Sequence, residues 1–128
     1  MAAPDGHGYI DFCDGKERFW RIETLWKAAE REAVIEQPLD GLPWRDDGCF
    51  ILGDAPTWGA FADHCRRVAD SELRYPIILS PDGEVMDGMH RIVRATLEGR
   101  KTLPAVRLKA YPAPDRTREL SQADPESK

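Results

Sequence analysis

Long apolar runs are missing from this chain. No stretch approaches the length that crosses a membrane, and the first residues, MAAPDGHGYIDF, lack the basic and apolar segments of a secretion signal. We therefore expect no membrane contact and a cytoplasmic location. Apolar residues make up 41% of the 128 positions and charged residues 32%, which is typical of a soluble globular protein with one domain.

Cysteine is also scarce. The three cysteines, Cys13, Cys49 and Cys65, are odd in number and widely spaced, so they indicate neither a disulfide framework nor a closed zinc site. A metal site at His64 and Cys65 would need His7 as a further ligand, and neighbouring residues of a helix point to different sides. The pattern therefore disfavours a metal site there.

Basic residues are outnumbered by acidic ones. Eighteen Lys and Arg against 23 Asp and Glu give a net charge of −5, which disfavours DNA as a partner because DNA binding depends on positive charge. The exception is the segment 87–109, where six basic residues outnumber two acidic ones, an excess of four positive charges. This excess fits either a small anionic ligand or solvated surfaces, and only Arg91 also belongs to a motif.

The stretch 75–108 organises the predicted fold, and it begins with a hairpin. Residues 76–79 (PIIL) are an apolar run typical of a strand, and residues 81–83 (PDG) have the composition of a turn. Residues 84–86 (EVM) then predict the return strand.

A helix follows this hairpin directly. Asp87 and Gly88 end the return strand, a helical pattern covers 89–98, and Gly99 stands where a helix would end. Residues 103–108 predict a further strand. The order of these elements places the five residues from Asp87 to Arg91 at a strand end and in the first turn of a helix.

Such a position has a chemical meaning. The first N–H groups of a helix have no partner within it, and the helix dipole is positive at that end, so a helix start favours anions and above all phosphates. Gly88 would let a ligand approach the backbone, Arg91 would grip a phosphate with two hydrogen bonds, and His90 would donate to a phosphate oxygen or move a proton. Asp87 would hold a metal ion or accept a proton. The alternatives are structural: Asp87 as an N-cap or turn residue, and His90 as a cap or a packed side chain.

The signature Asp87-Gly88-Met89-His90-Arg91, set between PIILSPDGEV and TLPAVRL, resembles the ParB/sulfiredoxin superfamily. In that superfamily a hairpin, a signature at a helix start and a strand ending in a P-x-V/A run recur together. The signature is similar to the DG-x-HR of the free serine kinases and to the GCHR of sulfiredoxins, while ParB partition proteins have GERR. The resemblance implies one ParB/sulfiredoxin-like domain over residues 1–111, with its signature region at 75–108.

Differences from these families narrow the implied activity. Met89 stands where sulfiredoxins need a nucleophilic cysteine, and a thioether cannot act in its place. We expect no partition function, because the chain leaves no room for a DNA-reading domain. The doubled arginine of GERR is also absent, which disfavours CTP clamping. The remaining similarity is to the free serine kinases, although Met89 also replaces a histidine that is common there.

By this resemblance, the phosphates of ATP or ADP would be bound by Gly88, Met89, His90 and Arg91. Asp87 would bind Mg²⁺, and Asp87 and His90 would be catalytic. The leading hypothesis is a nucleotide- or phosphate-binding protein that acts as an ATP- or ADP-dependent phosphotransferase (kinase) on a small hydroxyl substrate. The alternative is a non-catalytic nucleotide-binding module that regulates or contacts a partner protein. A ParB-like nuclease is a third hypothesis, which the acidic charge disfavours.

The rest of the chain completes the predicted fold. We predict a strand over 9–12, a turn at 14–15, a helix over 19–35, a strand over 49–52 and a helix over 57–70. An apolar stripe in the last of these consists of Trp58, Phe61, Cys65 and Val68. Residues 112–128 are polar and rich in proline, which predicts a disordered tail. The fold class is therefore α/β (α+β), a small mixed sheet of about four or five strands packed by about three helices.

Overall fold

A computed structural model describes residues 8–45 and 57–120 of the chain. Over these residues the strands are β1 (Gly8–Cys13), β2 (Lys16–Arg21), β3 (Ile35–Pro38), β4 (Ile77–Leu79), β5 (Val85–Asp87), β6 (Thr102–Arg107) and β7 (Arg116–Glu119). The α-helices are α1 (Ile22–Ala29), α2 (Trp58–Asp70) and α3 (Met89–Leu97), and a short 3-10 helix spans Leu39–Gly41. The α+β class is thus confirmed. No helix in the described ranges has the length and apolarity needed to cross a membrane.

The larger sheet is the mixed sheet that the sequence predicts, and its strand order is β3-β6-β4-β5. Strands β4 and β6 are parallel, whereas β3 and β5 pair antiparallel with their neighbours. The predicted hairpin is confirmed as β4 and β5, and its turn uses Gly83 at a φ of 91°, a backbone conformation that favours glycine. The helix after the hairpin is confirmed as α3.

Apolar side chains cover both faces of this sheet, because neighbouring residues of a strand point to opposite faces. The cluster on one face joins the sheet to α1 and the smaller sheet, through Trp20, Leu25, Trp26, Ile78 and Val106. The cluster on the other face joins the sheet to α3, through Ile77, Leu79, Ile92, Ala95 and Ala105. Helices α1 and α3 therefore pack on opposite faces, and β5 forms one edge of the sheet between them.

The smaller sheet has the order β1-β2-β7, and both of its pairings are antiparallel. Its first strand and the turn at Asp14-Gly15 confirm the prediction for this part of the chain. Its last strand corrects another prediction. The disordered tail from residue 112 is wrong for residues 112–120, because β7 pairs with β2 and the Trp20 indole donates to the Pro112 carbonyl oxygen over 2.7 Å. Residues 121–128 lie outside the described ranges.

The helix predicted over 19–35 is wrong at both ends. Residues 19–21 belong to β2, where Trp20 is fully buried while Arg21 is exposed, an alternation that suits a strand. The helix itself covers only eight residues, and Ile35 already begins β3 by pairing with Ala105. Strand pairing therefore overrides the local helical spacing at both ends, with β1 across the neighbouring hairpin at the first end and with β6 at the second.

The helix predicted over 57–70 is confirmed as α2. Thr57 is its N-cap, and the Thr57 hydroxyl accepts a hydrogen bond from the Ala60 N–H over 3.0 Å. Its apolar stripe, however, is largely uncovered: Val68 is buried, but Trp58 is 86% exposed and Phe61 46% exposed. The strand predicted over 49–52 lies outside the described residues.

Candidate functional site

The signature residues lie where β5 ends and α3 begins. Gly88 is the N-cap of α3, and its φ of 115° is a conformation that L residues rarely adopt. A Cβ atom at this position would lie 2.4 Å from Ile77 Cγ2 and 3.0 Å from Arg91 Nη2. Gly88 is therefore required by the packing of the backbone against β4, whether or not a ligand approaches it.

Asp87 is the last residue of β5, and its side chain is only 3% exposed. Its Oδ2 atom accepts a hydrogen bond from Trp26 Nε1 over 3.0 Å and another from Arg91 Nη2 over 3.0 Å. The carboxylate thus joins α1, on one face of the sheet, to α3, on the other. Sequence reasoning missed Trp26 as a partner, because it lies 61 positions before Asp87.

Arg91 is buried as deeply as Asp87, with 4% of its side chain exposed. Besides the ion pair, its Nη2 approaches the Pro76 carbonyl oxygen at 3.4 Å, and its guanidinium lies 5.8 Å from the centre of the Trp26 ring. Among the described residues, its Nε atom has no hydrogen-bond partner. The guanidinium therefore makes its contacts within the interior of the fold, and the phosphate contact predicted for it stays a prediction.

Met89 and His90 occupy the first turn of α3 and are both half-buried. The His90 ring lies beside the His64 ring of α2, with ring centres 5.0 Å apart and planes inclined by 54°. His64 is a neighbour that sequence reasoning did not assign to the signature. The contact depends on how α2 crosses α3, and no local pattern in the sequence encodes that crossing.

His64 lies in α2 beside the start of α3, and its environment is unusual for a histidine. Its Nδ1 atom is enclosed and, among the described residues, has no hydrogen-bond partner. Burial lowers the pKa of His64, and the positive charge of Arg67 lowers it further. The neutral form of the imidazole is therefore favoured.

The Mg²⁺ predicted at Asp87 does not fit this arrangement. A magnesium ligand must offer an accessible oxygen, whereas Asp87 is enclosed and its Oδ2 already accepts two hydrogen bonds. Nowhere in residues 8–45 and 57–120 do three His, Cys, Asp or Glu side chains converge in a way that could hold a metal ion. In this position the Asp87 carboxylate is therefore closed to a metal ion.

Two cavities flank α3, and the signature residues line neither of them. One, of about 450 Å³, lies beyond the carboxyl end of α3 and is lined in part by Trp44, Thr96 and Arg100. The other, of about 750 Å³, lies between α2 and α3 and reaches His64. The second cavity is therefore the one that approaches the His64–His90 pair.

Comparisons of the chain with protein-family models, with curated proteins and with solved structures find no match. The resemblance of the signature region to the ParB/sulfiredoxin superfamily therefore rests on its residues alone.

Proposed function

We propose that this protein is a ParB/sulfiredoxin-like module that binds a nucleotide or another phosphate-bearing ligand at the start of α3 without a catalytic step. The observation that carries the proposal is the helix start itself. Its N-cap is a glycine, which has no side chain to bond the first N–H groups, and the half-buried His90 lies in the same turn. Such a helix end attracts anions through its dipole and its N–H groups.

The electrostatics around His64 support the same ligand class. After burial, which is the larger cause, the charge of Arg67 lowers the pKa of His64, and that charge would also favour a negatively charged phosphate nearby. His90, 5.0 Å from His64 between ring centres, would then be the side chain of the signature that contacts the ligand.

Two residues of the signature take a supporting role in this proposal. Asp87 accepts hydrogen bonds from both Arg91 and Trp26, so Asp87 and Arg91 would hold the helix start in place from inside the fold. This is why a binding module is favoured over a phosphotransferase on a small hydroxyl substrate. Phosphotransfer would require the Asp87 carboxylate, which is only 3% exposed, to become accessible before it could act as a base or bind Mg²⁺.

A thermal-shift panel tests the proposal, with ATP, ADP, CTP, GTP and inorganic phosphate, each with and without Mg²⁺. A ligand present at about a hundred times its Kd stabilises the fold by roughly 2.7 kcal/mol, which raises the Tm by several degrees in a domain of this size. We expect a shift that His90→Gln reduces strongly. The matched control Arg100→Gln removes a positive charge beyond the opposite end of α3 and should leave the shift unchanged.

The outcomes separate the hypotheses. If none of the five probes shifts the Tm of the wild type, binding of phosphate-bearing ligands at this site is refuted. If a shift occurs and is accompanied by Mg²⁺-dependent turnover of the nucleotide that Asp87→Asn abolishes while circular dichroism shows this variant to be folded, the protein is a phosphotransferase and the non-catalytic proposal fails.

A further inference from the structure

Helix α2 is covered by very little of the described protein. It has 13 residues, of which only Val68 is buried. An isolated helix shorter than about 12–15 residues is only marginally stable in water, and most helices gain their stability by burying one apolar face. The apolar stripe of α2 thus indicates a contact that residues 8–45 and 57–120 do not supply.

An apolar cavity lies beside this stripe, on the same face of the molecule. It has a volume of about 750 Å³ and runs between α2 and α3. Its apolar lining comprises Phe61, Cys65, Val68, Ala69, Val93 and Leu97. Leu97 is itself 76% exposed, which is unusual for a leucine beside so much apolar surface.

A projecting side chain stands next to the cavity. Trp58, at the start of α2, is 86% exposed, and its ring meets the edge of the Phe61 ring at a centre-to-centre distance of 6.0 Å. One face therefore carries both a large aromatic projection and an apolar hollow. A two-fold axis matches such a face with itself, because each copy then presents its projection to the hollow of the other.

We propose that this face, formed by α2 and the carboxyl-terminal half of α3, is the interface of a symmetric dimer, with Trp58 of each copy seated in the cavity of the other. The cavity does not include the signature residues but reaches His64, so the interface would lie beside the proposed phosphate site, and the two proposals are tested by separate measurements.

The charges of this face also suit a second copy. The charged side chains that line the cavity are Arg94 and Glu98, and they form an ion pair over 2.8 Å. The lining of the cavity is therefore neutral overall, although the whole chain carries a net charge of −5. Two copies can meet here without the repulsion that the rest of their surfaces would cause, and a strongly acidic or basic partner finds no complementary field.

The area available is also of the right order. A buried aromatic side chain covers about 150–250 Å², so Trp58 and Phe61 of two copies contribute several hundred Å². Leu97 and the rim add to this, towards the roughly 1,000 Å² that a specific interface needs. Buried aromatic residues near the centre of an interface commonly dominate its affinity.

Sedimentation equilibrium of the full chain across micromolar to millimolar concentrations tests the dimer. We expect a reversible monomer–dimer equilibrium whose Kd rises at least about tenfold in Trp58→Glu and in Leu97→Glu. Phe12→Glu is the matched control, because Phe12 is 65% exposed but lies on β1 in the other sheet, and it should leave the Kd unchanged. Circular dichroism establishes that each variant remains folded.

Cross-linking through Cys65 provides an independent measurement, even if a glutamate variant fails to fold. Cys65 is exposed and lines the cavity, so a two-fold axis through this face brings the two Cys65 residues close together. In a chain with Cys13→Ser and Cys49→Ser, a short bismaleimide should give a covalent dimer. A wild type that is monomeric at every concentration overturns the proposal and means that the face is covered within one chain or left open. A dimer that only Phe12→Glu disrupts overturns it equally, because the interface would then lie on β1.

Discussion

Gly88 shows how one residue can serve packing where its motif indicates ligand binding. The sequence predicts a glycine that lets a phosphate approach the backbone, but the structure already requires glycine there. Its φ is 115°, and the nearest neighbour of an added Cβ would be the Ile77 side chain at 2.4 Å. Any L residue at this position meets both the backbone penalty and the steric one.

These two penalties can be separated by comparing Gly88→Ala with Gly83→Ala. Gly83 has a φ of 91°, but nothing lies within 4 Å of an added Cβ, so it carries the backbone penalty alone, about 1–2 kcal/mol. Gly88→Ala should cost at least about 1 kcal/mol more, because crowding in a packed interior costs about 1–3 kcal/mol. Urea unfolding of both variants measures the difference. Equal losses of unfolding free energy would show that Ile77 moves aside freely.

The same signature shows what residue patterns can and cannot predict. Its position at a strand end and a helix start follows from the Asp-Gly break and the helical spacing after it, and both are confirmed. The inward direction of Asp87 and Arg91 was not predicted. A signal was present, because an acid four residues before an arginine is the spacing of a helical ion pair. The position of Trp26, which completes the buried group, depends on tertiary packing that local spacing does not encode.

At the scale of the elements, the predictions fail where backbone pairing with another strand decides the structure. The helix predicted over 19–35 loses its ends to β2 and β3, and the tail predicted from residue 112 contains β7. Strand β7 is entirely exposed and polar (RTRE), so no hydrophobic pattern marks it. Its order comes from backbone pairing with β2 and from contacts that precede it along the chain. By contrast, the hairpin and α3 carry their own turn and capping residues, so local reasoning predicts them.

Two such contacts allow the contribution of β7 and of the residues just before it to be tested by truncation. The Trp20 indole is fully buried and donates to the Pro112 carbonyl oxygen over 2.7 Å, and the Asp115 carboxylate accepts from the Arg21 backbone N–H over 2.8 Å. A chain ending at Tyr111 loses both acceptors. Leaving a buried donor without a partner costs about 1–3 kcal/mol, so the free energy of unfolding should fall by at least this amount.

The matched control for this truncation is a chain ending at Leu120, which keeps β7 and both acceptors. Urea unfolding should find it as stable as the full chain, while hydrogen exchange in β2 accelerates only in the shorter variant. If the chain ending at Tyr111 keeps its full stability and its protection in β2, then β7 contributes nothing to the fold and the smaller sheet depends on the β1–β2 hairpin alone.

At the scale of the whole molecule, the mixed sheet lies between two layers, and different elements pack on its two faces. Helix α1 and the smaller sheet pack on one face, and α3 packs on the other. The group formed by Trp26, Asp87 and Arg91 connects these two layers around the edge strand β5. Because it links three elements, its loss should weaken the cooperativity of the whole fold rather than one helix end.

Substitutions of this group test that role. Asp87→Asn keeps an acceptor for the Trp26 indole but leaves Arg91 as an unpaired buried cation, and Arg91→Met leaves Asp87 without its cation. Removing one partner of a buried ion pair costs about 3–5 kcal/mol, whereas replacing both partners is often nearly neutral. Each single variant should therefore lose several kcal/mol in urea unfolding. The double variant should lose less than either one, because no charge is then left buried alone.

The chain offers a matched control on the same helix. Arg94 and Glu98 form an ion pair with the same spacing of four residues, but about a third of each side chain is exposed. Glu98→Gln should therefore change the stability little, since exposed ion pairs are well solvated after either partner is replaced. If the losses of Asp87→Asn and Arg91→Met simply add in the double variant, the two residues act independently. The buried pair would then not be what holds α1, β5 and α3 together, and the signature would be free to serve a ligand instead.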